Sequence, residues 1–185
     1  EPLEQFVKDY GIPAKLIFDG SKEQGGANTK FQALIRKHDI AHKVTEPHHP
    51  NQNPAEGVIR ELRKRWYRTM FRTNCPRRLW SYGIPHIAQI MSRTASYSGR
   101  LDGRTPLEFV TGETPDISEY LDFGFYDRVW FKDNAGLGEV QLGRFLGISH
   151  RVGSLMSYWV LPASGIPESR TTVQRVTLPE SKTDA

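Results

Sequence analysis

The apolar positions in the first part of the chain alternate between helical spacing and short continuous runs. Residues 3–10 predict a helix, because their apolar side chains recur every three or four positions before Gly11. AKLIF (residues 14–18) predicts a short buried strand, and AHKVTE (residues 41–46) predicts a second. Between these strands, residues 25–40 predict a helix capped by Asn28 or Thr29. This alternation of strands and helices is typical of an α/β fold.

Two longer helical patterns follow. The first covers residues 54–72, where Pro54 suits the first turn. The second covers residues 79–95 and carries Pro85, which predicts a break or a kink there. The first of these helices is predicted to turn one apolar stripe inward and its arginines outward. The stripe consists of Val58, Ile59, Leu62, Trp66 and Met70.

The pattern changes in the last third of the chain. Residues 99–118 read as a connector that contains a short helix, PLEFVTG. The runs DRVWFKD, VQLGRFLGIS, LMSYWVLPA and ESRTTVQRVTL then predict four or five strands in a small antiparallel barrel over residues 119–180, and residues 181–185 should fray. The predicted core of this barrel is Val129, Phe131, Phe145, Leu146, Tyr158, Val160 and Val173.

Composition excludes several classes of protein. The 185 residues are 37% hydrophobic, and no apolar run approaches the roughly 20 residues that a membrane span needs, so no membrane partner is expected. The single cysteine, Cys75, excludes an intramolecular disulfide framework and a cysteine zinc cluster.

Charge is distributed unevenly along the chain. Residues 1–110 carry 18 Lys and Arg against 11 Asp and Glu, whereas residues 111–185 carry 7 against 10. The excess of positive charge peaks between residues 60 and 78, where Glu61 is the one acid. Such a cluster favours a polyanionic partner, and its alternative is an ordinary solvated helix face.

Two carboxylates stand at positions that suit metal chemistry. Asp19 ends the first strand, where side chains commonly project into the crevice of an α/β sheet, and Glu56 lies in the first turn of the long helix. Carboxylate oxygens are the ligands that Mg²⁺ or Mn²⁺ prefers. Arg60 and Arg63 follow Glu56 on the same helical face, where they could hold phosphate. Alternatively, Glu56 simply stabilises the positive end of the helix dipole.

LIFDG, followed by the acid of HHPNQNPAEGVIREL, resembles the second and third acids of the D,D-35-E motif of retroviral and retrotransposon integrases. The resemblance continues through GRTPLEFVTGETPDISEYLDFGFYDRVWF and GRFLGISHRVGSLMSYWVL. The pattern of residues in these segments is similar to that of Ty1/copia-type retrotransposon polyproteins. It implies a partial RNase H-like core over residues 1–98 and an SH3-like barrel after the connector. It also implies Mg²⁺-dependent (or Mn²⁺-dependent) DNA processing and strand transfer by a homo-oligomer acting on element ends and target DNA in the nucleus, after assembly in a cytoplasmic particle.

The resemblance also assigns roles to individual residues. Asp19 and Glu56 would be catalytic residues and metal ligands. The cations expected to contact DNA are Arg60, Arg63, Lys64, Arg65 and Arg68, and the loop expected to flank the active site carries His48, His49, Asn51, Gln52 and Asn53.

The chain departs from the family pattern at its start. It begins at the helix before the second acid, so we expect this piece to lack the first catalytic Asp and to be inactive alone. The gap between Asp19 and Glu56 is also one residue longer than the motif has. The alternative is therefore a catalytically dead DNA-binding or scaffold relic of a retrotransposon polyprotein.

Overall fold

The computed structural model of the chain describes residues 2–46, 53–96, 101–132, 138–150 and 156–177. These residues form a mixed α/β protein with a two-stranded and a five-stranded sheet. The contacts divide the chain into two compact units, Glu1–Glu61 and Leu62–Ala185. The helices are α1 (Pro2–Tyr10), α2 (Lys22–Gly25), α3 (Lys30–Lys37), α4 (Pro54–Thr73), α5 (Trp80–Ser92) and α6 (Pro106–Thr111); the strands are β1 (Lys15–Phe18), β2 (Ala41–Val44), β3 (Arg128–Phe131), β4 (Gln141–Ile148), β5 (Tyr158–Leu161), β6 (Glu168–Arg170) and β7 (Val173–Arg175).

The first unit is built on a parallel pair of strands. β1 and β2 pair in parallel from Lys15 opposite Ala41 to Phe18 opposite Val44, and α2 and α3 connect them. The Thr29 hydroxyl caps α3 by accepting a hydrogen bond from the Gln32 N–H at 3.2 Å, which decides between the two predicted caps. The helix α2 was not expected, because a four-residue helix is too short to show a period. The buried residues of this unit are Phe18, Ile35 and Ile40, with Leu16 and Phe31 packed against them.

The helix α4 begins in the first unit and ends in the second. Its predicted limits are confirmed, but its apolar stripe is only half buried. Trp66 is 4% exposed and Leu62 and Met70 pack partly against the same cluster, whereas Val58 is 59% exposed and Ile59 45%. The prediction that Val58 and Ile59 face inward is therefore wrong, because both side chains are exposed.

The second unit contains the five-stranded antiparallel sheet. Its strands lie in the order β6-β5-β4-β3-β7, so the last strand of the chain returns to pair with the first strand of the sheet. Among the described residues this sheet is open, with β6 and β7 at its edges, and the predicted closed barrel is not seen there. β4 carries an irregularity in its pairing with β5 between Phe145 and Gly147.

The predicted core of this sheet is confirmed. The four side chains that are almost completely buried are Phe145, Leu146, Val129 and Val160. Leu146 packs in a different cluster, whereas the other three form one cluster with Phe131 and Tyr158. Val173 is partly buried against it. Alternation explains this result, because the inward residues of β3 are separated by Trp130, which is only half buried.

Helices cover part of the same sheet. Trp66 of α4, together with Leu79 and Ile87, packs in one cluster with Leu146 and Leu161 of the sheet. Gly83 of α5 lies directly under the Trp66 ring, where an added Cβ would come within 2.0 Å of a ring carbon. The contacts divide the chain after Glu61, and residues of α4 and α5 share a core with the strands of the second unit. The domain limits near residues 98 and 118 stay a prediction. α5 also runs on through Pro85.

Candidate functional site

Asp19 lies at the carboxyl end of β1, as predicted. It is exposed, and its Oδ1 accepts a hydrogen bond from the Ser21 N–H at 3.3 Å. Ser21 is the residue that precedes α2, so this contact forms the turn between the strand and the helix. The turn keeps the carboxylate at the end of the strand, on the surface of the first unit.

Glu56 lies in the first turn of α4 and is exposed. The turn is organised by Asn53, whose Oδ1 accepts a hydrogen bond from the Ala55 N–H at 3.1 Å. The Glu56 N–H donates to the Asn53 carbonyl oxygen at 3.1 Å. Asn53, which was assigned to the loop beside the active site, is thus the residue that caps α4. A carboxylate in this turn also stabilises the helix dipole, so the alternative role of Glu56 fits its position equally well.

The predicted DNA-binding cations lie on two sides of α4. At about 100° per residue, Arg60 and Arg63 fall within about 40° of Glu56, and Lys64 falls about 80° away. Arg65 lies about 180° from Glu56 and Arg68 about 120°. All five are exposed. The structure therefore brings Arg60, Arg63 and Lys64 onto one face with Glu56 and places Arg65 and Arg68 elsewhere.

Two exposed aromatic residues continue this face and were missed from the sequence. Tyr67 is 62% exposed and Phe71 is 92% exposed. They follow Glu56 at about 20° and about 60° around the helix, beyond the cations. We call the set Glu56, Arg60, Arg63 and Lys64 the charged face of α4, and Tyr67 and Phe71 extend it toward the end of the helix. The available signal was their position, since both aromatics lie outside the apolar stripe of this helix.

The two carboxylates suit a hard divalent cation by their donor type. Mg²⁺ is commonly held by one or two carboxylates together with substrate phosphates and water. The part of the chain that the structure describes contains no group of three or more His, Cys, Asp or Glu side chains that could hold a metal ion. Asp19 and Glu56 therefore stay candidate ligands by the type of their donor atoms.

The remaining candidates of the loop fall outside the described residues. These are His48, His49, Asn51 and Gln52.

No helix in the described part of the chain is long and apolar enough to cross a membrane.

Cys75 is a structural residue. It is 7% exposed, and its Sγ contacts the Pro76 carbonyl oxygen at 3.6 Å. Burial raises the pKa of its thiol to about 11, so the nucleophilic thiolate is scarce at neutral pH.

A separate cavity of about 170 Å³ lies in the second unit, beneath α5 and beside β4. Its wall includes Tyr82, His86, Gln89, Gly147 and Trp159. His86 is 4% exposed, its Nδ1 has no hydrogen-bond partner, and burial lowers its pKa to about 4. His86 is therefore neutral at physiological pH and packs as an aromatic ring against Tyr120, Phe125 and Phe145.

Comparisons with known proteins find matches among solved structures. No family model and no curated protein matches this sequence. Among the solved structures that match is the cryo-EM structure of the simian T-cell lymphotropic virus intasome in complex with the PP2A regulatory subunit B56 gamma. The TM-score is 0.43 at 13% identity, and the match covers 96% of this chain and 63% of that one. The chain thus spans less than two thirds of the length of the protein it matches.

Proposed function

We propose that this chain is part of a retrotransposon integrase of the Ty1/copia type, which binds DNA through the charged face of α4. The observation that carries the proposal is the arrangement of Glu56, Arg60 and Arg63 on one exposed face, within about 40° around the helix. In this proposal residues 1–98 are the distal part of an RNase H-like core, and residues 119–180 contribute an SH3-like barrel. The supporting observation for the barrel is the pairing of β7 with β3, the first strand of the five-stranded sheet.

The chemistry of the parent protein would be transfer of a DNA phosphodiester. Asp19 and Glu56 would hold Mg²⁺ or Mn²⁺, which when bound polarises the scissile phosphate and the attacking oxygen. Arg60 and Arg63 would bind the neighbouring phosphates and fix the strand beside the two carboxylates. The turn formed by Ser21 holds Asp19, and the cap formed by Asn53 holds Glu56. The substrates would be element ends and target DNA, the parent a homo-oligomer, and the compartment the nucleus.

A second candidate is DNA binding without catalysis. It is favoured by the position of Glu56 in a capped first turn, where the carboxylate has a structural role that needs no metal. Both candidates need the same arginines. They differ in the role of Glu56, which would bind a metal ion in the first candidate and only stabilise the start of α4 in the second.

Fluorescence anisotropy with labelled duplex DNA at several salt concentrations tests the claim that both candidates share, which is that Arg60 and Arg63 bind DNA phosphates. Each phosphate contact contributes about 0.9 to the slope of log K against log salt. We expect Arg60→Ala with Arg63→Ala to flatten this slope by up to about two units. The matched control is Arg68→Ala with Arg72→Ala, which removes the same charge from the other side of α4. An equal change in both pairs would refute the assignment of DNA to the charged face.

A metal-dependent strand-transfer assay on the parent protein distinguishes the two candidates. Glu56→Gln keeps the size of the side chain but removes its charge and replaces one carboxylate oxygen with an NH2 group. We expect it to abolish strand transfer and to leave duplex affinity within about twofold, since it breaks no phosphate contact. Full strand transfer by this variant would exclude Glu56 as a metal ligand.

A further inference from the structure

We propose that Tyr67 and Phe71 form a stacking platform for unpaired bases, so that the charged face of α4 takes single-stranded nucleic acid at its far end. This inference rests on the proposed function, because the same face would hold the phosphates.

The exposure of the two rings is the first observation. Phe71 exposes 92% of its surface and Tyr67 exposes 62%, while Trp66 and Met70 of the same helix are buried or partly buried. Neither Tyr67 nor Phe71 packs against an aromatic ring within the described ranges. A surface phenyl ring flanked by cations gains nothing from folding, so a ligand that covers it would add apolar burial on binding.

The second observation is their spacing. Tyr67 and Phe71 are four residues apart in a helix, which brings their Cβ atoms to about 5–6 Å from each other. Both rings therefore rise from adjacent turns of one face. Two neighbouring aromatic faces beside a basic track are the arrangement on which successive bases of a single strand stack.

The third observation is charge. Arg63 and Lys64 precede Tyr67 by about one turn, and Arg60 lies about one turn further back on the same face. Glu61, the one acid between residues 57 and 78, lies about 120° from Tyr67 around the helix. The positive charge around the two rings favours an anionic ligand. A nucleic acid with free bases is the anion that uses both the cations and the rings, whereas a blunt duplex presents its phosphates and hides its bases.

The position of the platform gives the proposal a length scale. Tyr67 lies about 16 Å along the helix from Glu56, at about 1.5 Å per residue. That distance corresponds to roughly five steps of one strand at about 3.4 Å per step. The strand held by Arg60 and Arg63 would thus reach the rings several nucleotides from Glu56. A DNA end that carries an unpaired tail fits this geometry better than a blunt one.

The experiment compares three fluorescent probes of one sequence on the 185-residue chain: a blunt duplex, its single strand, and the duplex with a short unpaired tail. The test variant is Tyr67→Ala with Phe71→Ala. We expect its affinity for the single strand and the tailed duplex to fall about tenfold or more, as loss of base stacking does, and its affinity for the blunt duplex to fall less than about twofold. Circular dichroism checks that helix content is unchanged.

The matched control is Tyr67→Leu with Phe71→Leu, which keeps apolar side chains of similar reach and removes the aromatic faces. We expect it to bind as weakly as the alanine variant. A single strand that carries 2-aminopurine gives an independent signature, because its emission should change on binding the natural chain and not the leucine variant. Full affinity in the leucine variant would overturn the stacking proposal in favour of a general apolar contact.

Other outcomes separate this proposal from the function on which it rests. Equal losses on the blunt duplex and the single strand would overturn the platform while leaving DNA binding intact. A natural chain that binds the single strand through the rings but ignores the duplex would support the platform and refute the duplex assignment. A change only in the oligomeric state of the alanine variant, measured by light scattering, would assign this surface to contacts between copies of the chain and overturn the proposal.

Discussion

β1 and β2 pair over four residues each and rest on three buried residues, whereas β3 to β7 cover a cluster of eight. In the first unit the outward residues Ile17 and Val44 remain 38% and 46% exposed. In the second unit Val129 and Val160 are fully buried. The candidate carboxylates Asp19 and Glu56 both belong to the thinly packed unit. Buried apolar packing is thus concentrated in the second unit, whereas both candidate metal ligands lie in the first.

The largest contrast should come from the same substitution in each unit. Phe145 is 1% exposed and its ring meets those of Phe123 and Tyr158 at 5.1 and 5.8 Å. We expect Phe145→Ala to lower the free energy of unfolding by about 3–5 kcal/mol. Phe18→Ala should lower it by about 3 kcal/mol or less, since a small cluster collapses more easily around the gap.

Hydrogen exchange of backbone amides measures this contrast unit by unit, which matters because two units need not unfold together. Phe145→Ala should speed exchange throughout β3 to β5, and Phe18→Ala only in β1, β2 and α3. Equal effects of both variants over the whole chain would show that the two units unfold as one.

The second prediction concerns acid. His86 has its pKa lowered to about 4 by burial, against 6.5 for an ordinary histidine. As pH falls below about 6.5 the unfolded chain takes up a proton that the folded chain refuses, so stability falls with pH. The loss should be complete near pH 4 and reach about 3 kcal/mol at most, at about 1.36 kcal/mol per pH unit. Above pH 6.5 this residue should add no pH dependence.

Urea unfolding at a series of pH values, followed by hydrogen exchange in the second unit, measures this loss. The control is His86→Phe, which keeps an aromatic ring and removes the titrating group. It also removes the Nδ1 that lacks a hydrogen-bond partner. An unchanged pH profile in His86→Phe would show that another group causes the acid sensitivity.

The sequence predicted the helices and strands better than it predicted which of their side chains are covered by other parts of the chain. The limits of α4 followed from Pro54 and from the apolar period, and the inward residues of β3 followed from alternation. The same period also marked Val58 and Ile59, which are exposed, because a period shows which face is apolar and not whether another element covers it. Asn53 was assigned to a loop because asparagine is common both in loops and at helix N-caps, so the residue type does not distinguish the two roles. The site depends on such surroundings, so Tyr67 and Phe71 became visible only when their exposure was known.

A third prediction uses two glycines of opposite environment. Gly83 lies under Trp66 without room for a Cβ, while an added Cβ at Gly57 of α4 meets no atom within 4 Å. We expect Gly83→Ala to lower the free energy of unfolding by about 1–3 kcal/mol, because the Trp66 ring must move. Gly57→Ala should raise it by about 0.5–1 kcal/mol through better helix propensity. Thermal unfolding monitored by circular dichroism gives both signs, and the same sign in both variants would contradict the contact between Gly83 and Trp66.

The prediction with the smallest expected effect concerns the exposure of apolar side chains in the first turns of α4. Val58 and Ile59 are 59% and 45% exposed, so truncating them removes little buried surface. We expect Val58→Ala and Ile59→Ala each to change the free energy of unfolding by less than about 0.5 kcal/mol, and in the stabilising direction, because alanine is the better helix former. A covered isoleucine would instead lose about 2–5 kcal/mol on truncation to alanine. The measurement is urea unfolding of the whole chain, repeated on an assembly with DNA if one forms. A loss of 2 kcal/mol or more in the free chain would mean that these turns are packed, and the charged face of α4 would then be narrower than its helical geometry suggests.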